Sequence, residues 1–350
     1  MKTTIILGAG FSKNSNIPIQ SEIPKHLIHF GDSNFDKNVS EAIFRFLQDL
    51  FGYEKGKPLP NLDDIFTCID ISTSSGHHLG LNYSPVHLRA IRRLLVYRVF
   101  SIIEESFCPS QSVRQFLKSI IDRSVNTSFI VLNWDTALEK YLKDQYTIEY
   151  CCWSSPWSNK AENTITPTIP VIKVHGSCNW LYCDNCRTLF HDIHNEVSLY
   201  QRTGFKENDF KLVGINPFNM DNTAEYTAEK CLKCGNEVSS HISTFRYRKS
   251  FRANSFPNIW NEAEKVLTNS DRWIFVGYSL PDADYEFKHL LKISELKLNH
   301  IREHRLEIDA VLLNSKTASE KYKKLFGNKI NKIYNGGIEE YLKEYSSENL

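Results

Sequence analysis

The chain opens on a strand that runs straight into glycine. Thr3 to Leu7 is β-branched and apolar, and Gly8-Ala9-Gly10-Phe11-Ser12 follows at once. Such a run makes a buried strand. Glycines behind it let the backbone approach a diphosphate, and the next helix offers unpaired N–H groups and its positive dipole end. This is how a dinucleotide-binding α/β fold begins. The motif is partial, because Lys13 stands where the third glycine of Gly-x-Gly-x-x-Gly would fall. A tight turn accounts for the two glycines equally well, and Ser12 suits either a phosphate contact or a helix cap.

The rest of the chain keeps the alternation that such a fold needs. Phe129 to Leu132, Val171 to Val174, Trp273 to Gly277 and Ile308 to Leu313 read as short apolar strands. Asp135 to Lys143, Ala283 to Leu291, Ala318 to Phe326 and Ile338 to Tyr345 read as helices. Strands alternating with helices give a parallel sheet covered on both faces. Residues 31–125 carry helical spacing instead (Val39, Ile43, Leu47, Leu50, then Ile91, Leu95, Val99, Ile102), with loops expected at 52–60 and 72–80. Residues 176–255 show few periodic segments. The expected architecture is one domain over 1–350, a Rossmann-like parallel sheet flanked by helices. It carries a helical insertion at 31–125 and a small cysteine-ligated zinc module at 176–255.

Composition narrows the partners. With 350 residues and 41% hydrophobic content, the chain can bury a substantial core. A formal net charge of +1 makes no electrostatic case for nucleic acid or an anionic membrane. The apolar start is too short for a signal-peptide core, and no run approaches the ~18 apolar residues that span a bilayer. The expected location is cytoplasmic. There, two Cys-x-x-Cys pairs, Cys183/Cys186 and Cys231/Cys234, argue for zinc over disulfides. Four thiolates close a tetrahedral site, so the metal is structural. Cys178, His191 and His194 are spare candidates.

Polar residues recur where strands end, the level at which α/β folds bind ligands. Asn133 and Asp135 follow one strand, His175 follows another, Gly277 and Ser279 a third, and Asn314 a fourth. Each has a plain structural alternative: Asn133 and Asp135 as a strand-to-helix turn, His175 as a packed histidine, Asp282 or Asp284 as a helix cap, Asn314 as a turn residue.

The order of these motifs resembles the sirtuin superfamily along nearly the whole chain. Lys-Val-His-Gly-Ser-Cys-Asn-Trp-Leu-Tyr-Cys at 173–183 is the most specific stretch. With Asn-Trp-Asp at 133–135 and Gly-Tyr-Ser-Leu-Pro-Asp-Ala-Asp at 277–284, it looks more like bacterial anti-phage defence NAD hydrolases than like protein deacylases. Leu132 stands where deacylases carry Gln, and Ile19-Gln20-Ser21-Glu22 where they carry Asp-Phe-Arg. The resemblance implies an NAD glycohydrolase releasing nicotinamide and ADP-ribose. Gly8, Ala9, Gly10 and Ser12 would hold the diphosphate, and Gly277, Ser279 and Asn314 the adenosine half. Asn133 would place the attacking water, Asp135 would orient the site, and His175 would act as general base. It further implies a gated NAD-depleting effector, a homo-oligomer, and a separately encoded ATPase or sensor protein as gate. The alternatives are a deacylase or mono-ADP-ribosyltransferase of the same fold, and a non-catalytic NAD or ADP-ribose sensor.

Overall fold

The computed structural model of the chain describes residues 1–28, 31, 33–122, 126–158, 166–215, 228–242, 255–301 and 306–347. In chain order the strands begin with β1 (Lys2–Leu7), β2 (Asn126–Val131), β3 (Thr147–Tyr150), β4 (Ser155–Pro156), β5 (Thr168–Lys173) and β6 (Gly176–Tyr182). Then come β7 (Leu189–His191), β8 (Ser239–Ile242), β9 (Arg272–Val276), β10 (Glu307–Val311) and β11 (Ile330–Tyr334).

Seven of them form one sheet in the order β11-β10-β9-β1-β2-β5-β3, and every pairing is parallel. Helices cover both faces of such a sheet, which is why the central strands read as unbroken apolar runs. Ile5, Ile6 and Leu7 of β1 and Phe275 of β9 are fully buried. From β1 the chain works outward through β2 on one side, and from β9 outward through β10 on the other. The strand order therefore reverses between β1 and β9, and a crevice opens there beyond the carboxyl ends.

Within 31–125, helix Asn34–Phe51 starts under a Ser33 side-chain cap and stops at left-handed Gly52 (φ +61°). Helix Leu62–Ser75 runs through the first part of the loop expected at 72–80 and stops at Gly76 (φ +73°). Its late Thr73 and Ser75 place their hydroxyls on the carbonyls of Ile69 and Ile71, within the helix. Pro85 opens the longest of the described helices, Pro85–Ser106, at the first-turn position where its missing N–H costs nothing. Helix Gln111–Ile121 lies against the closing helix Gly337–Ser347, with the Phe116 and Tyr341 rings 5.2 Å apart edge to face. The helix expected from Ala283 begins at Tyr285 and reaches Ile301. Helix Ser255–Thr268 and the edge strand β11 were not among the expected elements.

The second sheet, β4-β7-β6-β8, carries the cysteines. Of the module expected at 176–255, residues 216–227 and 243–254 lie outside the described residues. Strand β6 is buried along its whole length. Cys178, Trp180 and Tyr182 face the main core, while Leu181 joins a small cluster with Trp157, Cys183, Phe190, Val197, Cys231 and Val238. A strand with two buried faces has no polar side to alternate with, which hid it from a periodicity reading. Helices Leu199–Thr203 and Glu207–Leu212 dock on Pro85–Ser106 through a Tyr97–Tyr200 stack (4.8 Å) and the pairs Arg93–Asp209 (2.5 Å) and Arg202–Glu104 (2.6 Å).

Candidate active site

The crevice between β1 and β9 is built first of backbone. Gly8 N–H donates to the Val276 carbonyl at 2.9 Å and Gly10 N–H to the Gly277 carbonyl at 2.8 Å. A Cβ on Gly8 would stand 2.5 Å from Tyr278 Cα, one on Gly10 2.7 Å from Gly277 Cα, and one on Gly277 2.2 Å from Phe11 N. Gly277 also has φ +62°. Glycine is thus required because two strand-end loops touch backbone to backbone. The N–H groups of Gly8 and Gly10 are already engaged inside the protein, and the helix that follows, Ala9–Lys13, is little more than one turn.

The opposite wall is wired by side chains from the ends of β2 and β5. Asn133 Nδ2 donates to Ser12 Oγ at 2.9 Å, and Ser12 Oγ donates its single proton to Asp135 Oδ2 at 2.8 Å. Asp135 Oδ1 accepts from Ala137 N–H at 3.0 Å. In this arrangement Ser12 caps no helix and its proton is taken. It orients Asn133. Burial pushes the Asp135 carboxyl up, while nearby Lys173 and these donors pull the other way.

Beneath lies a charge that had not been singled out. Lys173 is fully buried at the end of β5. Its Nζ donates to the Asp135 carbonyl and, at 3.0 Å, to Glu139 Oε1, which also accepts from Tyr150 OH at 2.8 Å. A lysine inside Val171-Ile172-Lys173-Val174 was the available signal, since a buried ammonium needs partners.

His175 sits between β5 and β6. Its Nδ1 lies 3.0 Å from the Leu132 carbonyl. A carbonyl only accepts, so Nδ1 carries the hydrogen and the lone pair of the neutral ring is on Nε2. Nε2 faces Asp284 Oδ1 at 3.6 Å. The other oxygen of Asp284 accepts from Tyr278 OH at 2.8 Å. Tyr278 keeps that proton, because burial and the adjacent carboxylate push its phenol well above the usual range.

These residues surround a cavity of about 580 Å³. Gly8, Ala9, Gly10, Ser12, Asn133, Asp135, His175, Gly277 and Ser279 all line it. Asn314 does not. It lies beyond β10, one strand further from the crevice, exposed and left-handed (φ +48°), with its N–H on the Asn335 carbonyl at 2.8 Å. The helical insertion adds Asn61, Leu62, Asp63 and Ile103 to the lining. Asp284 belongs to the lining as well. Among the described residues, no lysine or arginine and no residue between 176 and 255 lines this cavity.

The cysteines converge elsewhere. The sulfurs of Cys183, Cys186, Cys231 and Cys234 all lie within 4.8 Å of one another, with Cys183–Cys234 at 3.5 Å and Cys186–Cys231 at 3.6 Å. A zinc ion bonded to four thiolates at ~2.3 Å sets its sulfurs about 3.8 Å apart, so the four fit it. Both knuckles close alike: Arg187 N–H returns to the Cys183 carbonyl and Gly235 N–H to the Cys231 carbonyl, each from a left-handed residue. The N–H and amide donors of Asn236, with the Asn185 amide, pull Cys234 down to about 5, toward the thiolate that a metal needs. Cys178, His191 and His194 stand outside this cluster.

No family model matches the chain, and no curated protein matches it. Solved sirtuins do. One, from work on sirtuin substrate affinity, has 14% identity and a TM-score of 0.46, over 99% of this chain and 92% of that one. A Sir2–p53 peptide–NAD+ complex has 15% identity and a TM-score of 0.46, over 99% and 92%. A Sir2 homologue mutant bound to ADP ribose has 14% identity and a TM-score of 0.44, over 99% and 91%.

Proposed function

We propose that the chain hydrolyses NAD to nicotinamide and ADP-ribose. One observation carries this reading: Asn133, held by Ser12, and His175, held by the Leu132 carbonyl, line a single cavity at the crevice where the strand order reverses. The C1′–N bond breaks with its electron pair going to nicotinamide, which leaves neutral. The ribose becomes oxocarbenium-like, water oxygen bonds to C1′, and the proton is released. The leaving group is already cationic, so no acid is needed. What is needed is a placed water, a proton acceptor and negative surroundings for the ribose. Asn133 supplies a fixed amide beside Ser12. His175 presents the Nε2 lone pair. Asp135 and Asp284 supply negative charge, and no lysine or arginine among the described lining residues opposes it. With the N–H groups of Gly8 and Gly10 engaged, Ala9 and Ser279 remain on the rim for the diphosphate and adenosine half.

The cysteine cluster would hold zinc as a structural ion, since four thiolates leave no open position. An enzyme that destroys NAD must be silent in a healthy cell. We therefore assign the chain to anti-phage defence in the cytoplasm, as an oligomer gated by a separately encoded ATPase or sensor protein.

The test is chromatography of nicotinamide and ADP-ribose after incubation with NAD. Wild type, alone or with its neighbouring gene product, should release both. Asn133→Ala and His175→Ala should lower the rate by about two to three orders of magnitude with little change in melting temperature. Equal rates in all three proteins, or acyl-lysine turnover in place of free ADP-ribose, would overturn it.

A further inference from the structure

Lys173 is the last residue of β5 and fully buried, yet it does not line the cavity. Its Nζ donates to the Asp135 carbonyl and, at 3.0 Å, to Glu139 Oε1. Tyr150 OH donates to the same Glu139 oxygen at 2.8 Å, and the Asn179 amide donates to Tyr150 OH at 3.1 Å. For stability alone, apolar side chains of similar size often do as well as a buried ion pair. What the lysine adds is the bond to the Asp135 carbonyl, which ties the turn after β2 to the end of β5.

From Asp135 the bonds run on to Asn133, and they have a direction. A carboxylate only accepts, so Ser12 Oγ gives its one proton to Asp135 Oδ2 at 2.8 Å. Ser12 can then only accept from Asn133, whose Nδ2 is 2.9 Å away. The amide is thereby fixed with Oδ1, which has no partner among the described residues, left for the cavity. A neutral Asp135 would reverse the order. Its own proton would go to Ser12, Ser12 would donate to Asn133, and the amide would turn over. The surroundings of Asp135 therefore matter. Burial pushes its carboxyl up and Glu139 adds to that, while Lys173, the Ala137 N–H and Ser12 pull it down. The Cys178 thiol of β6 also faces it, but burial pushes that thiol up to about 12, so it carries no charge. Lys173 is the cation among these groups.

We infer that Lys173 is a positioning residue for the cavity: through Asp135 and Ser12 it fixes which end of the Asn133 amide meets the attacking water. This rests on the NAD reading above. A water that donates to Oδ1 keeps both lone pairs free for C1′, whereas a water held by an amide N–H has one of them occupied.

Lys173→Met alone strands the Glu139 carboxylate, so the variant is Lys173→Met with Glu139→Gln. The pair removes both charges and leaves an amide oxygen for Tyr150. Melting curves check its fold, calorimetry its ADP-ribose affinity, and nicotinamide release from NAD is measured against pH. K173M/E139Q should bind ADP-ribose within about threefold of wild type and lose roughly 10- to 100-fold in kcat, the scale of a misplaced catalytic group. The loss should shrink as pH rises, because Asp135 without its cation ionises at higher pH. In an Asn133→Ala background the same pair should cost under about twofold, since the residue it acts through is gone. An unchanged kcat, or an equal loss in both backgrounds as a merely structural lysine would give, overturns the assignment and leaves the NAD reading standing. Ser12→Ala cuts the same relay without touching a buried charge, and it decides the matter should the pair not fold. S12A should lose kcat on the same scale with ADP-ribose affinity retained, and full activity in S12A overturns the assignment. Wild type that neither binds ADP-ribose nor cleaves NAD, even with its neighbouring gene product, removes both.

Discussion

The parallel-sheet body and the cysteine module are held together by different means. The body has a continuous apolar core reaching from Ile5 to Tyr341, while the module's own cluster is seven residues, two of them cysteines. A core that small contributes little net stability, as in other small units that lean on metal or disulfides. Yet the two share strand β6, one face in each core. The candidate site sits wholly on the body's side among the described residues. The candidate site thus lies on the part that folds by burial, and the four cysteines that could hold a metal lie in the part whose own core is small.

The largest effect that would sharpen this contrast is loss of metal. Zinc in four-thiolate sites carries on the order of 10 kcal/mol of folding free energy. Chelation should abolish amide protection around the knuckles at 183–189 and 230–237 and leave β1 and β9 protected. Hydrogen exchange read by mass spectrometry decides this. One cooperative loss across the whole chain would break the distinction, and no change at all would mean that the thiols hold no zinc.

Next is a change within the body. Gly277→Ala places a Cβ 2.2 Å from Phe11 N at φ +62°. Neither backbone can withdraw without losing the Gly10–Gly277 hydrogen bond. The cost should be roughly 4 kcal/mol or more, near the top of the range for one substitution. In denaturant melts the body's transition should move far more than for Asn133→Ala. A shift under roughly 1 kcal/mol would show that these loops are looser than their contacts indicate.

What the chain revealed in advance follows the same division. The body's strands were legible because each is a short apolar run followed by polar residues, and the sheet then brought Gly8, Asn133, His175 and Gly277 to one cavity. Asn314 lies outside that cavity because a strand end marks the level of a residue in the sheet, not its lateral distance from the crevice. Asp284 was read only as a cap because two aspartates at helix-start spacing look alike until one is seen buried. Lys173 was passed over as one residue of a strand. Strand β6 was hidden by its two buried faces, and the Ser72–Ser75 turn formers continue a helix that stops only at left-handed Gly76.

The smallest effect concerns acid and falls at the seam between the two regions. His241 of β8 is stacked between Tyr182 (4.6 Å) and Phe256 (4.7 Å), and burial pushes its pKa from 6.5 down to about 4. His191 of β7 is pushed down to about 4 for the same reason. Between these limits the unfolded chain binds protons that the folded chain refuses, so stability falls as pH drops from about 6.5 to about 4 and is intact above that window. For His241 the full loss is at most about 3 kcal/mol. His241→Phe keeps the stacking and removes the titration. Its stability at pH 7 should stay within about 1 kcal/mol of wild type, while its decline toward pH 4 should be shallower by up to about 3 kcal/mol. Protonation of the cysteine thiolates acts in the same direction in both proteins, so the difference between the two curves isolates the histidine. Parallel curves would mean that His241 takes up its proton without unfolding β8, and that the seam yields to acid more readily than its packing implies.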